Sequence, residues 1–94
     1  MVVVSLTYKV PLQEIDRHGA AHVEWLGTCY DAGLLLASGR KVPRVGGVII
    51  ARGTLAAVKA LCERDPFYVH GVAAYEFIEV EVVYTASGLE ALRC

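Results

Sequence analysis

The 94-residue chain is predicted to form an α+β domain in which strands and helices follow the order β-α-β-β-α-β. Three observations predict this class. Two apolar segments have helical spacing, β-rich runs flank them, and glycine or proline stands at the boundaries. A chain of this length forms one domain, residues 1–94, which buries only about 60–65% of the surface that is exposed on unfolding. We therefore expect one modest core.

Residues 2–10 are β-rich and predict the first strand, which Pro11 ends because proline cannot donate to a ladder. Residues 12–32 predict a long helix. At 100° per residue, one side of it carries Ile15, Gly19, His22, Leu26 and Cys29. Gly33 is expected to end this helix, since glycine reaches the left-handed conformation without a Cβ penalty.

Residues 34–37 and 47–52 predict two short strands of a hairpin, joined by a loop over residues 38–46. Thr54 is the predicted N-cap of the second helix, which Asp65-Pro66 should end because the residue before proline avoids the α region. Residues 73–85 alternate between apolar and other side chains and predict the last strand. Residues 86–94 have no clear assignment.

With right-handed crossovers, this order is the split βαβ, or ferredoxin-like, layout. It has a four-stranded antiparallel sheet with both helices on one face. We interpret Tyr75 and Phe77 as lying on the opposite face, which would be partly apolar and covered by a second subunit. The 55% apolar composition and the mean hydropathy of +0.46 favour such a homodimer.

Charge and composition exclude several classes of partner. Nine basic and ten acidic residues give a net charge of −1 without a like-charge run, so we expect neither nucleic acid nor an anionic membrane as a partner. No signal sequence or membrane span is evident, which predicts a cytoplasmic location. Cys29, Cys62 and Cys94 fit neither a disulfide framework nor a structural zinc site, so reduced thiols are expected.

Two residues are the leading candidates for chemistry. His22 lies on the inward side of the first helix, and Asp65 continues the inward phase of the second. Beneath paired helices they would meet as a general base with an orienting carboxylate. Two structural alternatives stay open. His22 can be a satisfied core histidine, and Asp65 can be the N-cap of a short turn with Pro66 at N1.

Other candidate sites are weaker. His18 and His22 stand four residues apart, as metal ligands on a helix can, but no third ligand is evident and no metal is expected. The Ser38-Gly39-Arg40 turn and Gly46-Gly47 could offer donors to an anionic ligand, although glycine-bearing turns beside a hairpin are ordinary loop chemistry. We expect no cofactor.

Three segments, HVEWL, AGLLLASGRKVPRVGGVIIA and DPFYVHGVAAYEF, resemble the YCII-related (YciI-like) family in order and spacing, from Ala21 to Phe77. The resemblance implies a ferredoxin-like fold assembled as a dimeric α+β barrel. It also implies a histidine and aspartate pair that maps to His22 and Asp65, with Ser38 near the same pocket. Arg40 stands where the family usually has proline, and this departure affects the loop and any substrate contact there.

The family includes a dehydrochlorinase of a chlorinated aromatic, and related dimeric barrels include muconolactone isomerases. The first functional hypothesis is therefore a cofactor-independent lyase or isomerase of a small polar, cyclic or aromatic metabolite. In it His22 moves a proton, Asp65 orients the imidazole, and Ser38 and Arg40 contact the substrate. The alternative is a non-catalytic dimeric binding or accessory protein in which His22 and Asp65 only satisfy each other.

Overall fold

The computed structural model of the chain describes residues 1–93, and Cys94 lies outside the described residues. Within this range the elements, in chain order, are β1 (Val2–Tyr8), α1 (Leu12–Asp31), β2 (Leu35–Arg40), β3 (Gly46–Ala51), α2 (Leu55–Cys62), α3 (Pro66–Val69), β4 (Ala73–Glu79) and a 3₁₀ turn (Glu90–Arg93). The strands form one antiparallel sheet in the order β2-β3-β1-β4. The helices lie on one side of this sheet, which confirms the predicted ferredoxin-like layout.

The core lies between the helices and the central strand β1. Val2, Val4 and Leu6 of β1 are at most 2% exposed because every second strand residue faces the helices. The helices contribute the buried side chains Ile15, Cys29, Val58, Cys62 and Phe67. The inward stripe predicted for the first helix is therefore confirmed.

Cys29 and Cys62 are free, as predicted, and both are buried. Burial raises the pKa of the Cys62 thiol to about 12, and burial is also the main cause that raises the pKa of Cys29. Both side chains are therefore neutral thiols at neutral pH and act as small apolar core residues.

The predicted end of the first helix and start of the second are confirmed by their caps, whereas α2 ends at Cys62, three residues before the predicted Asp65. Gly33 has a positive φ of 74° just beyond the C-cap of α1, where a residue with a Cβ would be strained. The Thr54 side chain accepts a hydrogen bond of 3.2 Å from the backbone N–H of Ala57 at the start of α2. Asp65 ends the connection after α2 and is the N-cap of α3.

Two predicted boundaries in the sheet were wrong by three residues or more, and the first strand ends at Tyr8, two residues before the predicted end. Residues 38–40 were assigned to a loop, but they belong to the edge strand β2, where Ser38 is opposite Ile49 and Arg40 is opposite Gly47. The last strand ends at Glu79 and not at residue 85, because its partner β1 begins at Val2, opposite Glu79. In both cases the local pattern could not show where the partner strand begins or ends.

The interpretation of the two sheet faces was also wrong. Tyr75 is opposite Leu6 and Phe77 is opposite Val4 in the β1–β4 pair. Directly opposed residues share a face, so Tyr75 and Phe77 lie on the helix side of the sheet. Alternation identifies the residues that share a face, but it does not identify the face that the helices cover.

The face opposite the helices is partly apolar, as predicted, but other residues form it. Its half-buried or exposed members include Val3, Ser5, Val48, Ile50 and Ile78. Ile78 is 49% exposed. Among residues 1–93, no helix has both the length and the apolar character that crossing a membrane requires.

Close strand packing at Gly46 gives the first testable prediction. A Cβ built on Gly46 would lie 1.8 Å from the carbonyl oxygen of Leu6 on β1. Gly46→Ala should therefore lower the free energy of unfolding by about 1–3 kcal/mol or more. Urea denaturation at fixed protein concentration measures the effect.

Gly27→Ala is the matched control for this substitution. Gly27 lies within α1, and a Cβ there meets no atom within 4 Å. Replacing this helical glycine should raise stability by about 0.5–1 kcal/mol. Equal urea midpoints for Gly46→Ala and the wild type would contradict the packing argument.

Candidate functional site

Asp65 lies at the centre of the candidate site, and its position follows from local sequence. The Asp65-Pro66 pair starts α3, with proline at N1 and the aspartate in extended geometry at φ −63° and ψ 127°. The Asp65 side chain accepts a hydrogen bond of 3.0 Å from the backbone N–H of Phe67. The residue is 0% exposed, so its carboxyl group has no access to water.

His22 approaches this carboxyl group from α1. Its Nδ1 lies 2.7 Å from Oδ1 of Asp65, and the two side chains are 15% and 0% exposed. Two residues that are 43 positions apart in sequence are therefore in direct contact, as their shared inward phase predicts. The N-cap alternative for Asp65 is confirmed as well, because the same oxygen accepts the Phe67 N–H.

Tyr75 completes the set of donors to the carboxyl group. Its hydroxyl donates a short hydrogen bond to Oδ2 of Asp65. Burial, followed by this hydrogen bond, raises the pKa of Tyr75 far above its usual value. The Tyr75 hydroxyl therefore remains a neutral donor at physiological pH.

This donor set indicates the tautomer of His22. The backbone N–H of Phe67 and the hydroxyl of Tyr75 both donate, and a carboxylate that receives two donors is the ionised acceptor. We therefore assign the proton of the neutral imidazole to Nδ1, which donates to Asp65. In this assignment Nε2 carries the lone pair and can accept a proton.

The Nε2 atom of His22 is accessible to solvent. Among residues 1–93, Nε2 has no hydrogen-bond partner. The only buried side-chain nitrogen or oxygen without a partner in this range is Nε of Arg44, so Nε2 of His22 is not buried. The imidazole stacks on the Phe67 ring with centroids 4.0 Å apart and an angle of 8°, and the Trp25 ring lies 6.0 Å away. One ring nitrogen is thus anchored and the other is open.

Ser38 and Arg40 are on the helix side of the sheet but outside this hydrogen-bonded cluster. The Ser38 hydroxyl is 2.7 Å from the hydroxyl of Tyr30 on α1. Arg40 is exposed on the same edge strand. The described hydrogen bonds connect neither residue to His22 or Asp65, and their contact with a substrate remains a prediction.

Sequence reasoning missed the roles of Tyr75 and Phe67. The strand pattern contains Tyr75, but its donation to Asp65 depends on a register that pairs it with Leu6. Phe67 directly follows the Asp65-Pro66 pair. An N-cap side chain accepts a hydrogen bond from a backbone N–H two or three residues later, so the N-cap alternative already predicts the hydrogen bond from Phe67 to Asp65. Its ring is 4% exposed and belongs to the hydrophobic core.

His18 does not join His22 as a ligand pair. Its ring stacks on that of His70 with centroids 4.0 Å apart, whereas His22 pairs with Asp65. Within the described part of the chain, no three His, Cys, Asp or Glu side chains are close enough together to hold a metal ion.

The His22–Asp65 pair is not part of the lining of the described surface clefts. Among the described residues, four clefts stand out, and His22 lines none of them. Trp25, the aromatic neighbour of His22, lines a cleft of about 180 Å³ together with Cys29 and Leu61. Trp25 is the only lining residue of the four clefts that has a described ring contact with His22.

Two comparisons with known proteins agree with this architecture. The model of the YCII-related domain matches residues 1–81. A solved structure, 5-chloro-2-hydroxyhydroquinone dehydrochlorinase (TftG) from Burkholderia phenoliruptrix AC1100 in complex with 2,5-dihydroxybenzoquinone, is similar with a TM-score of 0.70. The similarity covers 85% of this chain and 93% of that chain at 19% identity, and it shows a shared fold.

No curated protein matches the chain. The family model nevertheless spans all four strands and the three helices α1, α2 and α3, including both members of the His22–Asp65 pair. On this match the chain belongs to the YCII-related family.

Proposed function

We propose that the chain is a cofactor-independent lyase or isomerase of a small polar metabolite, with cyclic and aromatic compounds as the leading class. The observation that carries the proposal is the geometry of His22. Its Nδ1 is held 2.7 Å from the buried carboxylate of Asp65, while its Nε2 is open to solvent. A base oriented in this way is suited to proton transfer with a bound molecule.

The proposed reaction begins when Nε2 of His22 takes a proton from a carbon or hydroxyl group of the substrate. In a lyase, the electron pair left behind expels a leaving group with its bonding electrons. In an isomerase, the imidazolium returns the proton to another atom of the conjugated system. Asp65 stabilises the imidazolium in both cases, and neither route requires an oxidant or a reductant.

The comparison with TftG supports this reaction class. That protein is a dehydrochlorinase, and its structure holds a dihydroxybenzoquinone. Dehydrochlorination removes a proton and a chloride ion, so it requires a base of the kind proposed here.

A non-catalytic binding or accessory role is the second candidate, and two observations favour it. The three hydrogen bonds to Asp65 connect α1, α3 and β4, so the cluster has a structural role in the fold. In addition, His22 lines none of the four clefts described above. In this role the imidazole would satisfy the buried carboxylate and bind no substrate.

We also propose that two copies pair through the face of the sheet opposite the helices. Support comes from its apolar members Val3, Val48, Ile50 and Ile78 and from the small size of the chain. Residues 80–85, beyond the point where β1 begins, keep an alternating pattern, and Tyr84 is 91% exposed. A second copy could cover this segment.

The reduced, buried Cys29 and Cys62 support a cytoplasmic location.

His22→Ala tests the proposed base. The wild type and the variant are compared on a panel of halogenated and hydroxylated aromatics, with halide release and product absorbance as readouts. The variant should lower kcat by about 10²–10⁴ on any compound that the wild type converts, because the proton acceptor is lost. His18→Ala is the matched control, since His18 lies on the same helix outside the Asp65 cluster.

If the His22→Ala variant converts the compound at the wild-type rate, His22 has no part in the mechanism. The binding role would be favoured if the wild type converts no compound and the NMR signals of His22 respond to none of them. The imidazole of a catalytic base in contact with a ligand should show a change in its NMR signals.

Ile78→Lys tests the proposed dimer. A lysine on the apolar sheet face, here on the edge strand β4, would place a charge in the interface, so the variant should sediment as a monomer where the wild type sediments as a dimer. Val23→Lys is the control, because Val23 is 64% exposed on α1, on the other side of the sheet. A monomeric wild type, or a dimeric Ile78→Lys variant, would contradict this interface.

A further inference from the structure

The side of the fold that carries the helices contains a groove between α1, α2 and the ends of β2 and β3. It consists of two clefts of about 250 Å³ and about 180 Å³ that share the lining residues Leu34, Leu61 and Arg64. Arg52 and Val58 belong to the first cleft, and Trp25 and Cys29 belong to the second. We call this continuous feature the interhelical groove.

The floor of the interhelical groove is apolar and uncharged. Val58 and Cys29 are buried, and Leu34 is 39% exposed. Burial raises the pKa of the Cys29 thiol, which therefore carries no negative charge at neutral pH. The Thr28 hydroxyl donates to the backbone carbonyl of Trp25 at 2.7 Å and is already satisfied.

The charged groups that line the groove are two arginines. Arg52 and Arg64 are exposed, and neither has a carboxylate within 4.0 Å among residues 1–93. Arg17 and Arg44, in contrast, pair with Glu14 and with an aspartate of α1. Two guanidinium groups of the same sign beside one apolar groove give it a positive potential.

The backbone fixes the positions from which both arginine side chains start. The N–H of Arg52 donates to the carbonyl of Leu34 at 2.9 Å, which joins the residue after β3 to the residue before β2. The N–H of Arg64 donates to the carbonyl of Leu61 at 3.2 Å, and the next residue is the buried Asp65. The two guanidinium groups are therefore carried by ordered parts of the fold.

From these observations we infer that the interhelical groove is a binding site for a small aromatic carboxylate. Its ring would pack against Trp25 and Leu61, and its carboxylate would bind Arg64 and Arg52. A guanidinium group matches a carboxylate through paired N–H donors, and the apolar floor excludes a ligand that is polar throughout. This inference goes beyond the proposed function, because binding here does not require His22 to act as a base.

The groove also comes close to the candidate base. Trp25 follows His22 by one helical turn, and their ring centroids are 6.0 Å apart. A ring bound against Trp25 in the groove would therefore be separated from the imidazole by the Trp25 side chain. This proximity makes an aromatic acid a reasonable first choice of compound in searches for a substrate.

Intrinsic fluorescence provides a direct test, since Trp25 is the single tryptophan of the chain. Benzoate is titrated against the wild-type protein, with benzamide as the uncharged analogue of nearly the same shape. Benzoate should give a saturable change in Trp25 emission. Benzamide should bind about tenfold or more weakly, because it lacks the charge that the arginines bind.

Substitutions assign the effect to the groove. The Arg52→Gln/Arg64→Gln double variant should weaken benzoate binding about tenfold or more, while Arg17→Gln, an exposed arginine elsewhere on α1, should leave the affinity unchanged. Urea midpoints and sedimentation verify that the variants keep the fold and the oligomeric state. Isothermal calorimetry repeats the titrations without reliance on fluorescence.

Three outcomes would overturn the inference. They are the absence of saturable benzoate binding, equal affinities for the wild type and the double variant, and a double variant whose oligomeric state changes while benzoate binding does not. The last result would identify the groove as a contact between copies of the chain. These measurements concern binding alone. A wild type that converts no compound but binds benzoate more tightly than the double variant would count against the proposed function and not against this site.

Discussion

The buried carboxylate of Asp65 is the constraint on which the candidate site depends. A carboxylate without access to water is strongly destabilising unless donors replace its hydration. Here the donors are the Nδ1 atom of His22, the backbone N–H of Phe67 and the hydroxyl of Tyr75. They come from α1, α3 and β4, so the fold must bring three elements together to satisfy one group.

This requirement also explains why the imidazole is well oriented. Its Nδ1 cannot leave Asp65 without leaving a buried charge short of a donor, and its flat face is packed on Phe67 at 4.0 Å. The ring is therefore held by a hydrogen bond and by stacking, while Nε2 stays open to solvent. Such preorganisation suits a general base, because little reorganisation is needed when the proton arrives.

The sequence predicted the features of this arrangement that depend on local pattern. Helical spacing placed His22 on the inward side of α1, and the Asp-Pro pair identified Asp65 as an N-cap. It did not predict the role of Tyr75, which was assigned to the opposite sheet face. That role requires the register of β4 against β1, a long-range pairing that alternation alone does not specify. The extent of β2, and with it the position of Ser38, depends on pairing with β3 in the same way.

The most direct test of the central claim is the tautomer of His22 in solution. Long-range ¹H–¹⁵N NMR of the neutral imidazole, assigned by comparison with His22→Gln, distinguishes a protonated nitrogen from one with a lone pair. The account predicts a proton on Nδ1, held by Asp65, and a lone pair on Nε2. A proton on Nε2, or a mixture of tautomers typical of a free imidazole, would contradict it.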